Sequence, residues 1–201
     1  GTIGSTVNHV GFSVPDLRSV VTKLKARGYE MITRDSVAPT MTVTDDIAAA
    51  SPTTNIALVL GPDDVKVELV EVKDQSLPIQ LHHVHFFGER HTEMQAWYAK
   101  VFGAAVQPPI PGQVFVTNQL PGVTLSFSPS QTATVGTEGR ALDHIGFEVR
   151  NLEAFTKKLE ADGIALTVPY RQVPALGIAI AFITDPWGTN IELTEGLAAI
   201  R

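Results

Sequence analysis

Two short phrases in this chain are near-copies of each other: NHVGFSV at residues 8–14 and DHIGFEV at 143–149. A chain that repeats itself builds the same supersecondary unit more than once, so the repeat limits the fold before any single residue is weighed. Aligned without a gap, His9, Gly11, Phe12, Val14, Leu17, Lys23, Leu24, Ala26 and Gly28 fall on His144, Gly146, Phe147, Val149, Leu152, Lys158, Leu159, Ala161 and Gly163. A third copy begins at Leu81, where His83, Val84 and Phe86 fall on His144, Ile145 and Phe147. The ends match as well. Glu68, Leu69 and Glu71 of VKVELVEV fall on Glu192, Leu193 and Glu195 of TNIELTEG, whereas the middle copy ends in GVTLSFSPS with no acid there.

The last copy shows what one unit builds. In LDHIGFEV, Ile145, Phe147 and Val149 alternate with His144, Gly146 and Glu148, the pattern of a half-buried strand. Asn151 is a candidate N-cap, Leu152, Phe155 and Leu159 form a helical stripe, and Gly163 suits a left-handed helix end. Two further strands, 177–184 and 189–195, flank the turn DPWG. Each copy therefore reads as βαβββ, an α+β unit. Strand parity puts the first-strand histidine, and in copies one and three the last-strand glutamate, on the sheet face opposite the helix. Glu71 and Glu195 fall on the other parity and read as solvated. Trp97 and Tyr98 read as helix packing residues, and His82 and His91 as surface groups.

The phrases HVGFSVPDL, HHVHFF…WYAKVFGA, DHIGFEVRNL and DPWGTNIEL resemble the vicinal oxygen chelate superfamily, which comprises glyoxalase I, bleomycin-resistance proteins and extradiol dioxygenases. The resemblance implies that two βαβββ units pair and curl their sheets into an open cup. On that basis copies two and three, residues 77–201, are expected to pair as the main domain, with copy one, residues 1–76, standing apart. Copy one would then await a first unit preceding it, or would pair with its own copy in a homodimer. The implied metal ligands are His83, His144 and Glu192, holding Fe, Mn, Ni or Zn. His85, on the face of His83, and Glu192 are the implied catalytic groups. His9 and Glu68 form a further candidate pair.

The implied activity is that of a metal-dependent enzyme, dioxygenase-like or lyase/isomerase-like, acting on a small oxygen-bearing substrate that chelates the metal. The alternative is a binding or resistance protein that holds a small ligand without turnover. Phe182 stands where ring-cleaving members carry a tyrosine, and no histidine follows His144. Copy two offers Ser126 or Ser128 where the glyoxalase pattern has a carboxylate. The reaction therefore stays unassigned. Composition narrows the remaining classes. With a formal net charge of −6 and no Lys/Arg cluster, the chain offers no surface for nucleic acid. No apolar run approaches the roughly 20 residues of a membrane-spanning helix. The absence of cysteine excludes disulfides, thiolate nucleophiles and cysteine zinc sites. The sequence leaves the compartment open.

Overall fold

The computed structural model describes residues 1–199, in two compact bodies divided between Ala133 and Thr134. In the first body, copy one contributes β1 (Val7–Val14), α1 (Leu17–Ala26), the short α2 (Thr33–Ser36), β2 (Val43–Thr44), β3 (Ile47–Ser51), β4 (Thr54–Leu60) and β5 (Lys66–Glu71). Copy two contributes β6 (Gln80–Gly88), α3 (His91–Phe102), β7 (Ala105–Val106), β8 (Val116–Leu120) and β9 (Val123–Pro129). All nine strands form one sheet in the order β2-β3-β4-β5-β1-β6-β9-β8-β7. The second body is copy three: β10 (Ile145–Glu148), α4 (Leu152–Ala161), β11 (Leu166–Val173), β12 (Ile178–Thr184) and β13 (Asn190–Glu195), with sheet order β10-β13-β12-β11. The α+β class is as the sequence implies, and copies two and three are βαβββ units, whereas copy one adds the short α2 and β2.

The partnership between copies differs from the expectation. The continuous sheet joins copy one to copy two, not copy two to copy three, and the boundary lies after residue 133 rather than after residue 76. The join is the antiparallel pairing of the two first strands, β1 and β6, centred on Val10 opposite Val84. Both strands are apolar on their helix face, and each leaves an unpaired edge in its own unit. Pairing them satisfies two rows of backbone groups and makes one continuous apolar face.

Each copy buries its helix against its own strands. Val14, Leu17, Val21, Ala57 and Leu69 form the core beneath α1. In copy two, Phe86 stacks on Phe127 at 5.0 Å, and Tyr98 of α3 packs on both rings at 4.8 and 5.4 Å. Tyr98 is therefore a packing residue, as its helical position suggests. In copy three, Leu152 and Leu159 of α4 and Ile191 and Leu193 of β13 are fully buried. The expected punctuation is present. The Asn151 side chain accepts from Ala154 N–H, Gly163 adopts φ 81°, and Asp185 Oδ1 accepts from Trp187 N–H and Thr189 N–H to hold the turn. Among the described residues no helix is long and apolar enough to cross a membrane.

The two glutamates read as solvated have partners instead. Asn55 Nδ2–H donates to Glu71. Glu195 accepts from the backbone N–H groups of Asn151 and Leu152, at 2.9 and 3.0 Å, and so caps α4 with a full charge at the positive end of its dipole. Replacing Glu195 with Ala removes the acceptor for both groups and is expected to destabilise copy three by about 1–2 kcal/mol. Urea unfolding followed by Trp187 fluorescence in a Trp97→Phe background reads this. An unchanged midpoint would show that the cap contributes nothing.

Candidate metal centre

The three central strands of the first body, β5, β1 and β6, bring four polar side chains to one point. Glu68 on β5 lies opposite Gly11, and His9 lies opposite His85 across the β1–β6 seam. His9 Nε2 is 3.1 Å from Glu68 Oε2, His83 Nε2 is 3.8 Å from the same oxygen, and His85 Nδ1 is 3.1 Å from His9 Nε2. One ligand atom from each of the four residues lies within 4.8 Å of every other. Ligands at about 2.0–2.2 Å from a common ion are separated from one another by roughly 3–3.5 Å; the separations of 3.1, 3.1 and 3.8 Å are close to that range, and the group could hold a cation.

The nitrogen that each ring turns away from this point is also engaged. His9 Nδ1 contacts Asn8 Oδ1 at 3.0 Å, His83 Nδ1 contacts His82 Nδ1 at 2.9 Å, and His85 Nε2 contacts Ser128 Oγ at 2.8 Å. Such outer contacts hold ring orientation, which a metal-binding imidazole requires. His82, read as a surface group, is half-buried and orients His83.

The protonation states suit the same role. His9 and His83 are 3% and 6% exposed. Burial pushes the His83 pKa down to about 4, against the opposing pull of Glu68. Burial likewise lowers His9, and it lowers His85 well below the ordinary value. Burial opposes the ionised form of Glu68, but its contacts with His9 and His83 outweigh it, so its pKa falls. The resting site is thus three neutral imidazoles around a carboxylate. This is the ligand-ready state, since imidazole binds metal only when deprotonated. Lys66, two residues before Glu68 on β5, is also buried, and desolvation lowers its pKa.

One close approach makes this arrangement fit. At Gly11 an added Cβ would overlap Cε1, Nδ1 and Nε2 of the His83 ring. At Gly146, its counterpart in copy three, the nearest atom to an added Cβ is Glu192 Oε2 at 4.0 Å.

The expected ligands His83, His144 and Glu192 divide between the two bodies. His83 belongs to the cluster just described. In copy three, His144 Nε2 lies 3.3 Å from Glu192 Oε2, and His144 Nδ1 lies 2.8 Å from Asp143 Oδ1. This pair is more open than its counterpart in copy one, with 38% and 26% side-chain exposure. The hydrogen bond to His144 lowers the Asp143 pKa. Phe182, opposite Glu192 on β12, packs against the His144 ring at 5.4 Å. A phenyl ring thus stands beside this pair, where a tyrosine would offer a hydroxyl. Sequence reasoning paired copies two and three and so left His9 and Glu68 without partners. The signal that could have joined them was complementary content: copy one carries the acid that copy two lacks.

Comparison with known proteins agrees with the fold. The sequence model described as Glyoxalase/Bleomycin resistance protein/Dioxygenase superfamily matches residues 80–193. Glyoxalase I from Zea mays is similar in structure, with a TM-score of 0.70 and 17% identity over 96% of this chain and 68% of that one. A single-substitution variant of the same maize enzyme gives a TM-score of 0.65 and 16% identity, over 96% and 70%. A lactoylglutathione lyase from Agrobacterium tumefaciens is 22% identical and covers 62% of this chain and 96% of its own, with a TM-score of 0.44. No curated protein matches the chain.

Two predictions follow from the geometry. Gly11→Ala should displace the His83 ring and destabilise the first body by about 1–3 kcal/mol, while Gly146→Ala is tolerated. Paired urea titrations check this, and equal effects at the two glycines would contradict the close approach. The second concerns pH. A buried neutral imidazole stabilises nothing above the unfolded value near 6.5, but acid favours the unfolded chain, which takes up the proton first. Stability should therefore fall from about pH 6.5 toward pH 4, by on the order of 3 kcal/mol for His83 alone. His83→Gln should flatten that part of the curve. A wild-type curve flat to pH 4 would show that the rings are not buried neutral.

Proposed function

Because the chain belongs to the Glyoxalase/Bleomycin resistance protein/Dioxygenase superfamily, we propose that it is a metal-dependent enzyme acting on a small oxygen-bearing substrate, with its metal held by His9, Glu68 and His83. The observation that carries this reading is the convergence of three neutral rings on one carboxylate, each ring held from behind. A pocket built only to hold an apolar ligand has no use for two buried and two half-buried polar groups, each of which costs free energy to desolvate.

In this reading His9, Glu68 and His83 replace the ligand set His83, His144 and Glu192. His85 serves as a fourth ligand rather than a base. Its depressed pKa leaves it a weak proton acceptor, and its Nδ1 already faces the ligand group. The bound divalent ion would polarise adjacent substrate oxygens as a Lewis acid. Glu68 would offset part of its charge, and Asn8, His82 and Ser128 would keep the rings from rotating. The His144–Glu192 pair repeats the His9–Glu68 pair and would supply two ligands of a second site of the same class.

Elemental analysis of protein purified without a metal-affinity step tests the reading. A stoichiometric transition metal is expected, with losses of about tenfold or more in metal affinity in His9→Ala, Glu68→Gln and His83→Ala. A screen with 2-oxoaldehydes and catechols on the loaded protein would then assign the reaction. Metal content indifferent to all three substitutions would overturn the assignment.

A further inference from the structure

Among the described residues Lys66 is the one buried lysine or arginine, it lies near the candidate metal centre, and the site gives it no task. It is 8% exposed. It precedes Glu68 by two residues on β5, so strand alternation sends both side chains to the same face of the sheet. Among the described residues no carboxylate lies within ion-pair distance of it. Glu68 is engaged instead by His9 at 3.1 Å and His83 at 3.8 Å. The Lys66 charge nevertheless acts on Glu68, His9 and His85, which places it in the same electrostatic environment.

The Lys66 stem is buried while its ammonium keeps contact with solvent, and a metal ion nearby would repel that charge. The imidazoles contribute no charge. The ion brings two positive charges, Lys66 brings a third, and Glu68 removes one. The loaded floor is then left with excess positive charge in a low-dielectric setting, where a bound anion gains most.

Resting on the metal reading above, we propose that Lys66 is a substrate-binding residue that selects anionic chelators: small molecules carrying a carboxylate next to a second oxygen, such as 2-oxo or 2-hydroxy carboxylates. The two oxygens would meet the metal, and Lys66 would take the carboxylate charge. A neutral hydroxyketone of the same size would leave Lys66 unpaired and bind more weakly.

The test uses the full chain loaded with Co(II), with visible absorption as the readout and oxalate and hydroxyacetone as probes. Wild type is expected to prefer oxalate. Lys66→Met should weaken oxalate about tenfold or more, the scale of one charge-assisted contact, while leaving hydroxyacetone affinity within about threefold and Co(II) binding no weaker than in wild type. Lys66→Arg keeps the charge and should retain most of the oxalate preference. Equal weakening of both probes in Lys66→Met, or none, overturns this inference and leaves the metal site standing. If Lys66→Met does not fold, loss of the preference in a folded Lys66→Gln supports the proposal and its retention overturns it. A wild-type chain that binds no Co(II) overturns the metal reading, and this inference with it.

Discussion

The antiparallel seam between β1 and β6 governs the candidate site. Without it, His9 and Glu68 would stand on one open sheet and His83 and His85 on another, two half-sites with no common centre. The register is strict because side chains alternate: a slip of one residue would turn His9 or His85 to the helix face and bring apolar residues to the polar one. With Val10 opposite Val84, His9 faces His85 and Gly11 faces His83. The glycine is therefore part of the register. It is the one residue type whose absent Cβ leaves room for the imidazole lying over it.

Position alone does not make an imidazole a ligand; it must also be held. In all three copies the residue just before the first-strand histidine does this. Asn8, His82 and Asp143 each contact the Nδ1 of the next residue, at 3.0, 2.9 and 2.8 Å. Adjacent residues on a strand ordinarily point to opposite faces, so a contact between neighbours requires the histidine ring to turn Nδ1 back along the strand. That rotation aims Nε2 at the glutamate. The same step in the sequence thus places the ring, and the three copies use three different side chains for it.

The repeat, the strand parity and the helix caps made the fold legible in the sequence, because each follows from local spacing. The histidines and glutamates of the site were legible for the same reason: His9, Glu68, His83 and His85 all fall on the face opposite the helix. Which copies join was not legible. Residues 72–79 separate copies one and two and residues 130–144 separate copies two and three, neither length dictates a partner, and every copy offers an apolar first strand able to pair. Local pattern carries no term for that choice. The roles of Glu71 and Glu195 were missed for a related reason, since parity sends them away from the site but is silent on whether a helix N-terminus waits there. His82 looked like surface until the turned ring of His83 gave it a partner.

The copies have diverged in complementary ways. Copy one keeps the histidine and the glutamate; copy two keeps the histidine, has serines where the acid would stand, and adds His85 where copy one has Gly11. A symmetric pair with an acid on each side would place two carboxylates on the same ion and leave it neutral. Exchanging one acid for an imidazole removes a negative charge from the floor, and Lys66 adds a positive one beside it. Both changes move the site in the same direction, toward a ligand that brings its own charge. These two features, one on β6 with β9 and one on β5, are the grounds on which the proposal joins Lys66 to the chemistry of the histidine cluster.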